Sequence, residues 1–246
     1  MTSESGSPHP VALITGASRG LGRVVAEFLG AQGFELVLSA RDPDALAHVV
    51  EGLKLDRIPA QGVAGDVSDP TWQLAVTSVV ARLGRLDMLF NNASELGPSP
   101  LPRLAEYPPS ALERVLRVNL IAPLEITQRL LPYLEKVRGR VVNISSDAAV
   151  GGYPGWGGYG ASKAALDLLS LTLAHELAAS GVSVVSVDPG DMRTAMHQAA
   201  FPGEDISDRP LPEITLPFWA WLLNQDPATV SGHRFRAQAD RWEVPS

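Results

Sequence analysis

The chain of 246 residues contains no cysteine. Disulfides, thiol nucleophiles and zinc–thiolate sites are therefore excluded, and the composition fits a reducing compartment. No stretch approaches the roughly 18 apolar residues that a membrane-spanning helix needs. The first ten residues, Met1 to Pro10, are polar and carry Ser, Gly and Pro, without the apolar core of a signal peptide. A flexible tail over 1–10 and a cytoplasmic location are expected. Positive charge is also short. Against 27 Asp and Glu stand 20 Lys and Arg, a formal net charge of −7, which argues against nucleic acid or an anionic membrane as partner. The five histidines, His9, His48, His175, His197 and His233, share no ligand spacing, so no metal site is expected. Internal repeats and low-complexity linkers are absent from the sequence too.

What is present is a strand–helix alternation. Hydrophobic residues make up 45% and charged residues 19% of the chain, as in a soluble globular enzyme. Short apolar runs at Val11–Thr15, Phe34–Ala40, Leu86–Asn91, Arg140–Ser145 and Val182–Asp188 read as buried strands, with a weaker one at Arg57–Val63. Between them, Leu21–Gln32, Pro43–Leu53, Pro70–Leu83, Pro109–Val137 and Tyr159–Ala179 read as helices. Gly33, Gly84, Gly139 and Gly181 follow helical segments, where a left-handed cap is often needed. This order implies one doubly wound α/β domain over 11–237, a parallel sheet with helices on both faces. The segment Ala195 to Pro217, rich in Pro, Asp and Glu, lies where such a fold would cover its cleft and reads as a lid. Residues 238–246 form a polar tail.

Two segments carry chemistry. Thr15-Gly-Ala-Ser-Arg-Gly-Leu-Gly22 follows the first strand and opens a helix. Gly16, Ser18, Gly20 and Gly22 let the backbone turn tightly and approach phosphate, and the helix start at Leu21 offers free N–H groups to an anion. A glycine turn without a ligand is the plainer alternative, and the strand-before, helix-after context favours binding. The second segment is Tyr159-Gly-Ala-Ser-Lys163. Tyr159 and Lys163 are four apart on a helix, so phenol and ammonium share one face. A free phenol titrates near ~10, and a nearby ammonium is expected to lower that value. The phenol can then give a proton to a forming alkoxide or take one from an alcohol.

The Thr-Gly-x-x-x-Gly-x-Gly turn, Asn91-Asn92-Ala93 and Tyr159-x-x-x-Lys163 together resemble the short-chain dehydrogenases/reductases. The resemblance runs from about Val11 to Thr194, with several motifs in family order. It implies a Rossmann-type fold and a catalytic set of Asn119, Ser146, Tyr159 and Lys163. By that resemblance Ser146 bonds the substrate oxygen, Lys163 also holds the nicotinamide ribose, and Asn119 keeps a water chain to Lys163 in place. Asp66, beside Val67, would accept from the adenine amino group; read from the residues alone, it could instead cap the next helix. Asn92 and Ala93 would line the adenine-ribose side. Pro189 and Gly190 would pass under the nicotinamide, and Thr194 would meet its carboxamide. Ser94 stands where the family usually has glycine, which adds a side chain beside the cofactor.

Cofactor choice follows from charge. Users of NAD place a carboxylate at the end of the second strand, whereas here Arg41 follows that strand and Arg19 lies in the glycine turn. Two guanidiniums suit a 2′-phosphate, so NADP(H) is expected over NAD(H). Tyr153, Trp156, Met192, Met196 and Phe201 are candidate substrate walls, while Trp219 and Trp221 are candidates for either lid or core. Asp191 is expected to cap a short helix, the alternative being a carboxylate facing the cleft. Asp147 invites the same two readings. The expected reaction is hydride transfer between NADP(H) and a small-molecule carbonyl or secondary alcohol. A cofactor-sensing regulator without turnover is the alternative, and the retained Tyr159 and Lys163 speak against it. An epimerase would need another glycine spacing and a longer C-terminal domain. The resemblance also implies a homodimer, whereas the tetramer-forming Asp-Gly-Gly ending is replaced by Ser231-Gly-His-Arg-Phe-Arg-Ala237, with His233–Ala237 as a seventh strand.

Overall fold

The computed structural model describes residues 7–244. Seven strands form one sheet: β1 (Val11–Thr15), β2 (Glu35–Ala40), β3 (Ala60–Ala64), β4 (Met88–Asn91), β5 (Arg140–Ile144), β6 (Ser183–Asp188) and β7 (Arg234–Arg236). All pairings are parallel, in the order β3-β2-β1-β4-β5-β6-β7. The order reverses between β1 and β4, and ligands of such sheets bind beyond the strand ends at that switch.

Alternating side chains of β1 serve two cores. Ala12 and Ile14 join a cluster with Val25 and Leu29 of α1 (Gly20–Ala31) and Leu46 and Val50 of α2 (Pro43–Leu55). Val11 and Leu13 face Val76 and Val80 of α3 (Pro70–Leu83) on the other side. Asp42 caps α2 by accepting from the Asp44 and Ala45 amides, and Asp69 caps α3 by accepting from Thr71. A proline opens each of these two helices, where its missing N–H costs nothing.

The expected helix over Pro109–Val137 is α4 (Pro109–Leu116), a π turn (Arg117–Ile121) and α5 (Ala122–Glu135). Pro123 lacks the N–H that would return to the Asn119 carbonyl four residues earlier, and the helix widens at that point. At its far end the left-handed residue is Arg138 (φ 54), not Gly139. Gly139 is needed for room, since a Cβ there would lie 2.6 Å from the Leu86 carbonyl oxygen. Gly33, Gly84 and Gly181 do adopt the left-handed conformation.

The remaining helices are α6 (Ala148–Gly151), α7 (Gly157–Glu176), α8 (Ala195–Ala200), α9 (Leu216–Leu223) and α10 (Pro227–Val230). Trp219 and Trp221 belong to the core. Trp219 packs edge-on against Phe90 at 5.0 Å and donates to the Thr215 hydroxyl at 2.8 Å. Trp221 meets Phe235 of β7 at 5.3 Å. Trp242, from the segment read as a polar tail, joins them at 5.5 Å from Phe218. Arg140, only 5% exposed, ties the sheet to α9 by donating to the Leu222 and Gln225 carbonyls; burial lowers its pKa to about 10.

Candidate active site

A cleft of about 1090 Å³ runs along the sheet's carboxyl edge from Arg41 to Phe201. Its dinucleotide half is built around the glycine turn. Gly16 and Gly20 have φ of 69° and 55°, values that disfavour any side chain. A Cβ on Gly22 would collide with the Gly16 carbonyl. The turn is clasped to β4 by Thr15 and Asn92. Thr15 Oγ1 accepts from the Asn92 and Ala93 amides at 3.0 Å, and Asn92 Nδ2 donates to the Thr15 and Gly16 carbonyls at 2.9 and 3.2 Å. Asn92 therefore shapes the turn while bordering the cleft beside Ala93.

Arg19 precedes α1 in extended conformation and gives the first turn no side-chain cap. The orphan N–H groups there, together with Ser18, Gly20 and Leu21 on the cleft wall, form a cradle that fits a pyrophosphate. Arg41 is 60% exposed and 3.5 Å from Glu95. The neighbouring carboxylate, Asp42, is committed to its helix cap. Asp66 and Val67 border the cleft after β3. The Asp66 carboxylate accepts from the Ser68 amide and hydroxyl and pairs with Arg114 at 2.7 Å. Burial opposes its charge, but the Ser68 bonds and Arg114 outweigh that and hold its pKa below the ordinary value. The capping alternative for Asp66 falls to Asp69.

The other half is lined by Ser146, Tyr159 and Lys163, whereas Asn119 lies behind the wall and meets the cleft through Ser94. Tyr159 and Lys163 are 7% and 1% exposed on α7. Lys163 Nζ donates to the Ile144 carbonyl at 2.7 Å and lies 5.5 Å from the Tyr159 ring centre. Burial lowers the Lys163 pKa to about 8. Tyr159 departs from the expected direction. Burial pushes its pKa up to about 12, with Ser94 pulling down and Asp188 and Asp147 pushing up. The expected lowering by the ammonium is overturned here, because a dry site bordered by carboxylates disfavours the phenolate.

Asn119 is fully buried in the π turn. Its oxygen accepts from the Glu95 amide at 2.7 Å and the Ser94 hydroxyl at 3.1 Å. Its nitrogen donates to the Glu95 carbonyl and to Ser162 Oγ, each at 2.9 Å. The Ser146 hydroxyl donates to Asp147 at 3.1 Å and accepts from the Ala148 amide at 3.1 Å. Arg234 of β7, which no local sequence pattern marks, donates to the Ser146 carbonyl at 2.8 Å while pairing with Asp167 at 2.9 Å and Asp188 at 3.4 Å.

Pro189 and Gly190 follow β6 along the cleft floor, and Gly190 takes φ 75°. Thr194 faces the glycine turn, since a Cβ on Gly20 would lie 3.5 Å from its methyl. Thr194 also caps α8, its hydroxyl accepting from the His197 amide at 3.2 Å. The cap expected of Asp191 is therefore supplied three residues later. Asp191 instead stands 61% exposed, 3.8 Å from His197 Nδ1 and 3.7 Å from Arg209 Nε. Tyr153, Trp156, Met192, Met196 and Phe201 all border the cleft. The Trp156 ring lies 5.8 Å from Tyr159 and 6.1 Å from Phe201. His197, outside every sequence pattern, stacks on Phe201 at 5.0 Å.

Residues 10–205 match the family model for short chain dehydrogenases. The chain belongs to the short-chain dehydrogenase family. The oxidoreductase YciK of Escherichia coli (strain K12) is 32% identical over 94% of this chain and 92% of its own length. A 3-oxoacyl-[acyl-carrier-protein] reductase FabG of Staphylococcus epidermidis is 32% identical over 83% of each chain. A short chain dehydrogenase from Shigella flexneri, solved in complex with NADP, superposes with a TM-score of 0.85 at 31% identity, covering 97% of this chain and all of its own. This short-chain dehydrogenase is accordingly an oxidoreductase whose fold binds a nicotinamide cofactor. No helix among its described residues is long and apolar enough to cross a membrane.

Proposed function

We propose that this protein reduces an apolar ketone or aldehyde with NADPH, and that Tyr159 supplies the proton. The observation that carries the reading is the buried pair of Tyr159 and Lys163 at the cleft, beside Trp156 and across from an uncapped glycine turn. A bound nicotinamide supplies the hydride that the carbonyl carbon accepts. The protein's own residues do the rest. With its pKa raised to about 12, Tyr159 stays protonated at neutral pH and suits the role of general acid. Ser146 orients the substrate oxygen toward that phenol. Lys163, held on the Ile144 carbonyl, contributes a positive charge when the phenol loses its proton. Asn119 fixes the loop after β4 against α7 through Glu95 and Ser162.

Arg19 and Arg41 are assigned to the 2′-phosphate. Both are exposed at the adenine end, and Asp42 is spent on capping, so no carboxylate from the end of β2 competes for a ribose hydroxyl. The NADP complex of the Shigella flexneri relative supports the same choice. The aromatic wall of Tyr153, Trp156 and Phe201 favours a flat apolar substrate, and Asp147 and Asp191 disfavour a carboxylate on it. Ala195 to Pro217 forms the lid over this end, through Met196, His197 and Phe201.

The test is NADPH oxidation over matched aromatic and aliphatic ketones, each with a neutral and a carboxylate-bearing member. Turnover is expected for neutral aromatic ketones, at least tenfold above their carboxylates in kcat/KM. Turnover confined to the acidic members would refute the substrate reading.

A further inference from the structure

Ser146 and the Pro189–Gly190 turn leave the sheet from neighbouring strands, β5 and β6, and β7 is tied to both. The turn is fixed through backbone and side chain. The Ala237 amide donates to the Asp188 carbonyl at 2.8 Å, and Gln238 Nε2 donates to the Pro189 and Asp191 carbonyls, each at 2.9 Å. Asp188 is 3% exposed, and its carboxylate closes the turn by accepting from the Gly190 amide at 3.0 Å.

Arg234, on the same strand, reaches the Ser146 side. Ser145 donates to the Val187 carbonyl at 2.7 Å, and Ser146 lies one residue beyond that bond. The Ser146 carbonyl then accepts from Arg234 at 2.8 Å and from the Ala149 amide at 3.1 Å. Ala149 belongs to the four-residue α6, and a helix that short has little stability of its own. The guanidinium is the firmer tie, since it is held in turn by Asp167 of α7 at 2.9 Å and by Asp188 at 3.4 Å. Arg234 meets these partners with Nε and one terminal nitrogen of a planar fork, which a lysine ammonium does not have.

Resting on the reading of Ser146 as the group that orients the substrate oxygen, and of Pro189 and Gly190 as the nicotinamide floor, we propose that Arg234 is a positioning residue. It holds Ser146 in register with a floor already fixed to β7, and so sets the distance between the substrate carbonyl and the nicotinamide. A shift of about 1 Å in such a distance can cost about 10²-fold in rate. Binding of NADPH depends on it less, because the bonds of Gln238 and Asp188 to residues 189–191 do not involve Arg234.

The experiment compares wild type with Arg234→Lys, Arg234→Met and Ser146→Ala. Three quantities are read: NADPH affinity by fluorescence titration, the rate and amplitude of single-turnover NADPH oxidation with a saturating neutral aromatic ketone, and amide hydrogen exchange of the unliganded protein over 145–151. Arg234→Lys keeps the charge beside Asp167 and Asp188 and loses the fork. It is expected to bind NADPH within about twofold of wild type and to keep the amplitude, while the rate falls about tenfold. Exchange over 145–151 should rise about fivefold, the protection of one hydrogen bond. Arg234→Met should lose about 10²-fold in rate, as should Ser146→Ala. If Arg234→Met does not fold, Arg234→Lys decides. A wild-type rate in Arg234→Lys, unchanged exchange over 145–151, or a loss confined to amplitude or to NADPH affinity would overturn the role of Arg234 while leaving that of Ser146 intact. A wild-type rate in Ser146→Ala would overturn the reading of Ser146 and the role of Arg234 with it.

Discussion

Replacing Lys163 by Met should stabilise the protein at neutral pH while destroying its activity. Lys163 is 1% exposed, and burial holds its pKa at about 8 against an ordinary 10.5. Below pH 8 the folded chain carries this buried charge at a cost of roughly 3 kcal/mol. Met has a similar apolar stem and no charge, but it leaves the Ile144 carbonyl without its donor, a loss of about 1 kcal/mol. The net gain at pH 7 is about 2 kcal/mol, or a Tm increase of ~4–8 °C for a chain of this size. Between about pH 8 and 10.5 the unfolded state holds a proton that the folded state has released, so wild-type stability rises relative to the variant. By pH 10.5 the advantage should vanish or reverse. Thermal unfolding of both proteins at pH 7 and 10.5, beside NADPH turnover at pH 7, measures this. A Met variant less stable than wild type at pH 7, or a gap that ignores pH, would refute the reasoning.

Two further outcomes follow from the dinucleotide half. Arg41→Ala removes a guanidinium whose present partner, Glu95, is 3.5 Å away, so KM for NADPH should rise by roughly tenfold, with KM for NADH unchanged within twofold; steady-state kinetics with both cofactors decides, and equal losses would remove Arg41 from the 2′-phosphate. Gly22→Ala drives a methyl into the Gly16 carbonyl and the Asn92 amide; NADPH affinity should fall by at least tenfold and stability by about 1–3 kcal/mol, read by fluorescence titration and thermal unfolding.

The parallel sheet was legible because its strands are short, apolar and separated by periodic helices. Their ends moved by a few residues, as at Met88 and Ala60, where the ladder rather than the apolar run sets the limit. Side-chain chemistry placed the caps less well. Asp191 and Thr194 both suit a helix start, and the choice of Thr194 depends on the backbone direction after Gly190. Gly139 looked like a left-handed cap, yet its reason is crowding against a strand distant in sequence. Trp242 was hidden in a polar stretch, although it completes an aromatic cluster with Phe218 and Trp221. The direction of the Tyr159 shift was also beyond the sequence. A four-residue spacing brings Lys163 near but says nothing of burial, Asp188 or Asp147. Arg234 reaches the Ser146 carbonyl only through the docking of β7, and His197 reaches the cleft only through the fold of the segment after β6.

The central claim, that Tyr159 is the proton donor of an NADPH-dependent reductase, is tested most directly by Tyr159→Phe. With the phenol oxygen removed and the ring kept, NADPH affinity should stay within twofold of wild type. The rate of carbonyl reduction at pH 7 should fall by about 10²–10⁴-fold, the span of general acid catalysis. Tight NADPH binding with wild-type turnover in the variant would contradict the account.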